Sequence, residues 1–251
     1  MRRKQVDVLV IGSGMGGMSA AALLAKDGFQ VMVAEKLPYI GGRCSTRDYK
    51  GYRCYTGVIG VETGGLVQDL FNEVGADFNI ESAGLPQYLI KDKTFTVPQK
   101  GGMKALLEAS GASQASIEKV MSAMSRALNW KGPSPGISLF DWLLQYSKHK
   151  GILEVFQTLV NAALMVRIDD LSAQYFFKFI KTLSRVNEFG FCSKGSGDLP
   201  GALGQAVLKN GGEIWNGSDV KKILVENNTV QGVLIQNKER EFQIDSQVVI
   251  S

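Results

Sequence analysis

The sequence predicts an α/β fold in which a largely parallel sheet layer, built from both ends of the chain, is interrupted by a mostly helical insertion. Three observations carry this reading. A strand–helix–strand pattern fills the first 35 residues, helical periodicity dominates from Met103 to Arg185, and short strands return after Gly195-Ser196-Gly197. Gln5 to Ile11 (QVDVLVI) is a nearly continuous β-branched and apolar run, as expected of a strand buried on both faces of a parallel sheet. Met15 to Lys26 carries small and apolar residues at helical density and stops at Asp27-Gly28, a glycine signal for a helix C-terminus. Gln30 to Ala34 (QVMVA) is a second short strand, so the first 35 residues form a βαβ unit and imply a doubly wound layer.

Beyond it, Ser45 to Tyr49 and Tyr52 to Thr56 form a hairpin turning at Lys50-Gly51. Helices are expected over Ile117 to Trp130, Leu139 to Tyr146 with Ser138 as N-cap, Ile152 to Val166, and Ser172 to Leu183. A Pro/Gly-rich loop separates the first two of these, at Gly132 to Gly136. A further helix spans Pro200 to Lys209 and stops at Gly211-Gly212. Strands follow near Val220 to Val225, Val230 to Ile235, Glu241 to Ile244 and Gln247 to Ile250. These limits divide the chain into residues 1–75 and 195–251, which share one layer, and the insertion 76–194. The last strand has no turn, cap or polar tail after it, so the chain reads as truncated.

Composition excludes several classes. With 45% hydrophobic residues, 21% charged and 6 prolines among 251 residues, the chain is globular rather than disordered or fibrous. A net charge of +4 without a clustered basic patch argues against nucleic acid. Cys44, Cys54 and Cys192 show no C-x-x-C or zinc-type spacing, which points to a reducing compartment and packed thiols. No apolar stretch approaches the roughly 18 residues of a spanning helix, so the expectation is a cytoplasmic chain, with membrane contact at most peripheral.

The chemistry begins at Gly12-Ser13-Gly14-Met15-Gly16-Gly17, which fits G-x-G-x-x-G at Gly12, Gly14 and Gly17. The preceding strand, the following helix and a second strand ending in Glu35 supply the context this motif requires. Gly12 permits the tight turn, Gly14 lets the backbone approach a pyrophosphate, and Gly17 lets helix and strand pack closely. The helix N-terminus offers amide donors and partial positive charge to phosphates. Glu35, 18 residues beyond Gly17, is placed to accept hydrogen bonds from a ribose diol, and its charge disfavours a 2′-phosphate.

Six residues further on stands Gly41-Gly42-Arg43, which has no role in a plain NAD dehydrogenase. With the glycine motif, the acidic residue and Ser45 or Thr46, it resembles the N-terminal signature of the FAD-dependent phytoene desaturase and flavin amine oxidase superfamily. The resemblance implies a Rossmann-like FAD-binding layer of the GR2 type, interrupted by a substrate-domain insertion. Two glycines there allow backbone approach to the cofactor, and the guanidinium offers phosphate a bidentate partner. Towards the end of the chain, Gly211-Gly212, Val220, Ile223, Val230 and Val248 to Ile250 resemble the family's second block, by which Val220 is assigned a backbone contact to adenine. The implied FAD-binding set is therefore Gly12, Gly14, Gly17, Glu35, Lys36, Gly41, Gly42, Arg43 and Val220, with no catalytic residue carried over.

The implied activity is transfer of a hydride from a largely apolar organic substrate to flavin, with the helical insertion forming the substrate chamber. The alternative is an FAD-anchoring subunit or fragment, inactive without a partner chain or a missing C-terminal half; an NAD-dependent dehydrogenase is disfavoured. Tyr55 stands where carotenoid desaturases commonly carry an acid, which weakens a carotenoid assignment. His149, in a basic turn and the one histidine of the chain, makes a metal site or a Ser-His-Asp triad improbable. Asp169-Asp170 read as the start or cap of the helix from Ser172. Tyr175 to Ile180 reads as core or pocket lining ahead of membrane dipping, and Cys44 as a packed thiol ahead of a redox-active one.

Overall fold

The computed structural model describes residues 2–90, 93–98, 100–183 and 188–251. Its elements run β1 (Arg2–Gln5), β2 (Val8–Ile11), α1 (Met15–Lys26), β3 (Val31–Glu35), β4 (Thr46–Tyr49), β5 (Tyr52–Tyr55), β6 (Val61–Thr63), α2 (Leu66–Val74) and β7 (Glu81–Ser82). Then come β8 (Gln87–Ile90), β9 (Lys93–Thr96), α3 (Gly102–Ala109), α4 (Gln114–Asn129), α5 (Leu139–Leu144), α6 (Lys150–Leu164) and α7 (Ala173–Leu183). The chain closes with β10 (Glu188–Phe191), α8 (Asp198–Lys209), β11 (Glu213–Asn216), β12 (Ser218–Glu226), β13 (Thr229–Asn237), β14 (Arg240–Asp245) and β15 (Val248–Ile250). It divides into two compact units, Met1–Ser82 with Asn187–Ser251, and Ala83–Val186.

The first unit is built on a parallel sheet of order β11-β3-β2-β15. Its two central strands are apolar at every position but the last of β3, Glu35, because both faces are covered. Val8, Val10, Val31 and Val33 point into one cluster with Met18, Ala21, Ala22 and Ala25 of α1 and with Leu203 and Val207 of α8. Leu9, Met32 and Ala34, on the alternate positions, point into a second cluster with Val233, Ile235 and Ile244 of β13 and β14. The second face is thus covered by the sheet β1-β14-β13-β12 rather than by helices, and the layer is not doubly wound in the strict sense. The strand expected over Gln5–Ile11 is divided for the same reason. Arg2 to Gln5 pair with β14 in the covering sheet, and only Val8 to Ile11 lie in the parallel sheet. Asp7 marks the crossing, where its carboxylate accepts the Gln30 N–H at 2.7 Å.

A third sheet, β6-β10-β7, pairs Val61 with Gly190 and Glu81 with Phe191. This pairing draws residues on both sides of the insertion into the first unit, so the limits drawn after 75 and before 195 fall within it. The hairpin β4–β5 turns at Lys50 and Gly51, both at positive φ (49° and 83°), the two-residue turn whose twist suits a hairpin.

The second unit holds α3 to α7 and the hairpin β8–β9. Leu107, Ile117, Leu139, Trp142, Phe156 and Phe176 belong to its own core. Ser138 caps α5 as expected: its Oγ accepts the Asp141 N–H at 3.0 Å and donates to Asp141 Oδ2 at 2.8 Å. In the run Tyr175–Ile180, Phe176 and Phe177 enter this core while Tyr175 and Lys178 face outward. Asp169 accepts a bidentate pair of bonds from Arg167 at 2.9 Å, and this surface ion pair replaces the helix-starting role expected of it. Among the described residues, no helix is long and apolar enough to cross a membrane.

Adjacent glycines at the start of α1 differ sharply. A Cβ on Gly17 would lie 2.2 Å from the Gly12 carbonyl oxygen, whereas one on Gly16 would meet nothing within 4 Å. Gly17→Ala is expected to cost about 1–3 kcal/mol through overpacking. Gly16→Ala should be neutral or stabilising by up to about 1 kcal/mol. Urea unfolding of the two variants checks this; equal midpoints would show that the helix does not depend on the contact.

Candidate functional site

At the C-terminal end of β2 the Gly12 N–H reaches the Ala34 oxygen at 2.8 Å, and a φ of +91° turns the chain out of the sheet. Gly14 then caps α1 with no side-chain hydrogen bond, and no acidic residue stands in the helix's first turn. The amide donors and the positive end of the helix dipole therefore face the loop without a counter-charge of their own. A Cβ on Gly14 would meet no protein atom within 4 Å, which leaves open space against its backbone.

The Gly41-Gly42-Arg43 element lies beside this loop. Gly41 pairs with Gly14 in a parallel bridge, and its N–H reaches the Ser13 oxygen at 2.9 Å. Glycine is required at 41, where φ is +105° and a Cβ would press to 2.4 Å from the Cys44 oxygen. A Cβ on Gly42 would come within 3.7 Å of the Gly14 Cα. Arg43 follows this turn, is exposed, and among the described residues its guanidinium forms no hydrogen bond or ion pair.

Glu35 closes the other side at the end of β3, with only 6% of its surface exposed. Its Oε2 accepts from Ser13 N–H at 2.7 Å and from the Ser13 hydroxyl at 2.6 Å; its Oε1 accepts from Leu37 N–H at 2.8 Å. Burial pushes this carboxyl up, but the bonds from the Ser13 side chain and from the backbones of Leu37, Ser13 and Lys36 outweigh it. The net result lies below the usual glutamate value of 4.5. Lys36 turns to Asp219 at 3.6 Å, and the pair links the end of β3 to β12 beside Val220. Val220 is partly buried against the second core cluster and pairs with Ile235, on an edge strand whose outer side is not covered by β13.

Two sets of residues escaped the sequence reading. Ser13 occupies a variable position of the glycine motif, so its hydroxyl carried no signal. Residues 45–56 and 192–197 are joined by a polar network. The Gly197 N–H donates to Thr46 Oγ1 at 3.1 Å, the Ser196 hydroxyl to the Ser45 oxygen at 3.3 Å, and the Tyr55 hydroxyl to the Cys192 oxygen at 2.7 Å. The Gly195-Ser196-Gly197 run was its signal, since a Cβ on Gly195 would fall 2.2 Å from Thr46 Oγ1. Cys44 and Cys192 are buried and their thiols are pushed up by burial, Cys192 to about 11. His149 precedes α6 as its N-cap residue with Nδ1 buried and unbonded. Among the described residues, no three His, Cys, Asp or Glu side chains cluster to hold a metal.

Uncapped amides, open space at Gly14 and a buried carboxylate lie together at the C-terminal ends of the two central strands, with Arg43 in the adjoining turn. That donor set fits a diphosphate joined to a ribose, the central part of FAD. In the helical unit a surface cleft of about 350 Å³ is lined by Tyr88, Leu106, Ser110, Val155 and Thr158 among others.

Residues 10–74 match the family described as NAD(P)-binding Rossmann-like domain. The neurosporene-forming phytoene desaturase of Cereibacter sphaeroides is 28% identical over 92% of this chain and 50% of its own length. An oxidoreductase from Methanosarcina mazei superposes with a TM-score of 0.81 at 24% identity, over 97% of this chain and 58% of that one. Putrescine oxidase superposes with a TM-score of 0.65 at 16% identity, over 98% and 57%. The chain thus spans about half the length of these relatives. The matches bear out the resemblance to phytoene desaturases and the Rossmann-like class of the fold; the likeness to putrescine oxidase is one of fold.

Replacing Glu35 by Gln puts an amide nitrogen where an oxygen now faces a backbone N–H, at Ser13 or at Leu37. Glu35→Gln should therefore lose about 1–3 kcal/mol of stability at pH 7. Because the folded carboxyl titrates below its unfolded value, its contribution is present above about pH 4.5 and disappears as pH falls through the folded value. The gap between variant and parent should close over that acidic interval. Urea curves that coincide at pH 7 would remove Glu35 from any structural role.

Proposed function

From this kinship we propose that the chain is the FAD-anchoring part of an oxidoreductase that takes a hydride from a largely apolar organic substrate. The observation that carries the reading is the packing of Gly41-Gly42-Arg43 against Gly14, opposite Glu35. A plain NAD site needs the glycine loop and the acid but has no use for a second glycine turn with an unpaired arginine. The bound flavin supplies the chemistry, accepting a hydride from a C–H next to an alkene, amine or alcohol.

The chain's own residues bind and orient. Amides of Gly14 and the first turn of α1 receive the diphosphate, and Arg43 adds a mobile cation that can fork onto its oxygens. Glu35 holds the ribose as an ionised acceptor at neutral pH, since its carboxyl titrates below 4.5. Lys36, tied to Asp219, keeps β12 and the Val220 backbone next to the end of β3, where adenine would lie. Apolar side chains of the helical unit would receive the substrate and exclude water. A second reading, in which this chain needs further residues or a partner polypeptide to complete the flavin site, is favoured by its coverage of 50% of the desaturase relative.

Gly14→Val tests the assignment, because no protein atom lies within 4 Å of the added Cβ. The parent should bind FAD and show flavin absorbance. The variant should lose flavin while its unfolding free energy falls by no more than about 1 kcal/mol, the cost of a poorer N-cap residue. Full flavin retention by the variant would make the motif purely structural; a parent that binds NAD and no FAD would point instead to a dehydrogenase.

A further inference from the structure

The cleft of about 350 Å³ in the helical unit lies where β8 passes the end of α3 and one stripe of α6. Its volume falls at the small end of the roughly 300–1,000 Å³ of ligand sites. Gly151 makes this arrangement possible. A Cβ there would press to 2.7 Å from the Ser110 carbonyl oxygen, so α6 can lie against the end of α3 only with glycine at the contact. Glu154, Val155 and Thr158 follow it at three, four and seven residues, on one face of the helix. Phe156 and Val160 of the same helix are buried in the core of the unit, which leaves that face to the cleft. From Gly151 to Thr158 it is about 10 Å long, at 1.5 Å per residue. Leu106, Ile90 and Val155 supply apolar surface along it.

Two hydroxyls line the cleft without a partner: among the described residues, neither the Tyr88 nor the Thr158 side chain forms a hydrogen bond. Burial pushes the Tyr88 phenol up, so it stays neutral and can both donate and accept. Ser110 is engaged, its hydroxyl donating to the Leu107 oxygen at 2.6 Å. Among the described residues Glu154 is the one carboxylate of the lining, and it is paired with the Lys150 ammonium at 3.2 Å. An anionic head group would meet this carboxylate and find no free cation. An ammonium head group would have to displace Lys150.

We propose that this cleft binds a medium-chain aliphatic alcohol, its chain along the α6 stripe and its hydroxyl bonded by Tyr88 and Thr158. The inference deepens the reading given above by assigning its apolar substrate a neutral hydroxyl end. It rests on that reading only for the ligand's part in a reaction, because binding in the cleft needs no flavin.

The experiment titrates the full chain, free of flavin, with 1-octanol, octanoate and octylammonium, which share one chain and differ in the charge of the head group. The methyl signals of Ile90, Leu106 and Val155 are followed by NMR. 1-Octanol should move these signals to saturation, with an affinity at least about fivefold above that of either charged analogue. Tyr88→Phe, which removes one hydroxyl, should weaken 1-octanol by about threefold to tenfold, the worth of one hydrogen bond, and change octanoate by less than about twofold. Val155→Phe should fill the cleft and weaken 1-octanol by more than about tenfold. If Val155→Phe does not fold, Thr158→Val, at an exposed position, takes its place and should weaken 1-octanol as Tyr88→Phe does. Methyl signals that none of the three ligands moves would overturn the site. Equal affinities for the three, or 1-octanol binding untouched by Tyr88→Phe, would overturn the role of the hydroxyls. Octylammonium binding tighter than 1-octanol, with the preference lost in Glu154→Gln, would give the cleft to amines and overturn the alcohol. Flavin retention is read separately by absorbance. A parent that binds 1-octanol but no FAD therefore fails the cofactor reading and leaves the cleft standing, and one that binds FAD but not 1-octanol does the reverse.

Discussion

The approach of α1 to the end of β2 is the constraint on which the first unit depends. Only a hydrogen atom fits between Gly17 and the Gly12 carbonyl, so the helix can settle onto the sheet at one place and one angle. Once there, its small side chains, Ala21, Ala22 and Ala25, form a shallow buried face against Val8, Val10, Val31 and Val33. That shallowness lets α8 come equally close: a Cβ on its Gly204 would already sit 3.4 Å from Met18 Cε. The same placement aims the first turn of α1 at the loop beside Gly41. The packing of the unit and the geometry of the candidate site thus share one backbone contact.

Much of this unit was legible because its signals are local. The β2 and β3 runs, the helix Met15–Lys26 with its glycine stop, and the spacing from Gly17 to Glu35 all arise within the first 35 residues. What escaped is non-local. The division of Gln5–Ile11 between two sheets depends on β14, some 240 residues away in sequence. β6 and β7 are three and two residues long and carry no alternation of their own; they exist because β10 pairs with both. Three strands of the covering sheet, β12, β13 and β14, were read as strands, yet nothing in their alternation said that the sheet would replace helices on the second face.

The site divides in the same way. Glycines and an acid at fixed spacings announce themselves, whereas Ser13 sits at a position where the motif accepts many residues. The network from Ser45, Thr46, Tyr55 and Thr56 to residues 192–197 holds the segment after Arg43 in place, with Ser45 and Thr56 bonded at 2.8 Å. Tyr55, which stood out as a departure from the desaturase pattern, has a structural task here as a donor to the Cys192 carbonyl. That task accounts for a tyrosine hydroxyl and says nothing against an apolar substrate.

The first unit is discontinuous in sequence, and this shapes how it can be made. Its central strands β2 and β3 leave the ribosome within the first 35 residues. Their outer neighbours, β15 and β11, follow only after the whole of Ala83–Val186 has been synthesised. Until then the nascent βαβ unit carries two open strand edges and one uncovered apolar face, the surfaces that invite misassociation. The helical unit, by contrast, is continuous in sequence, so all of its core residues are available once Val186 has been made. The first unit can therefore complete its parallel sheet only after the whole of the helical unit has been synthesised.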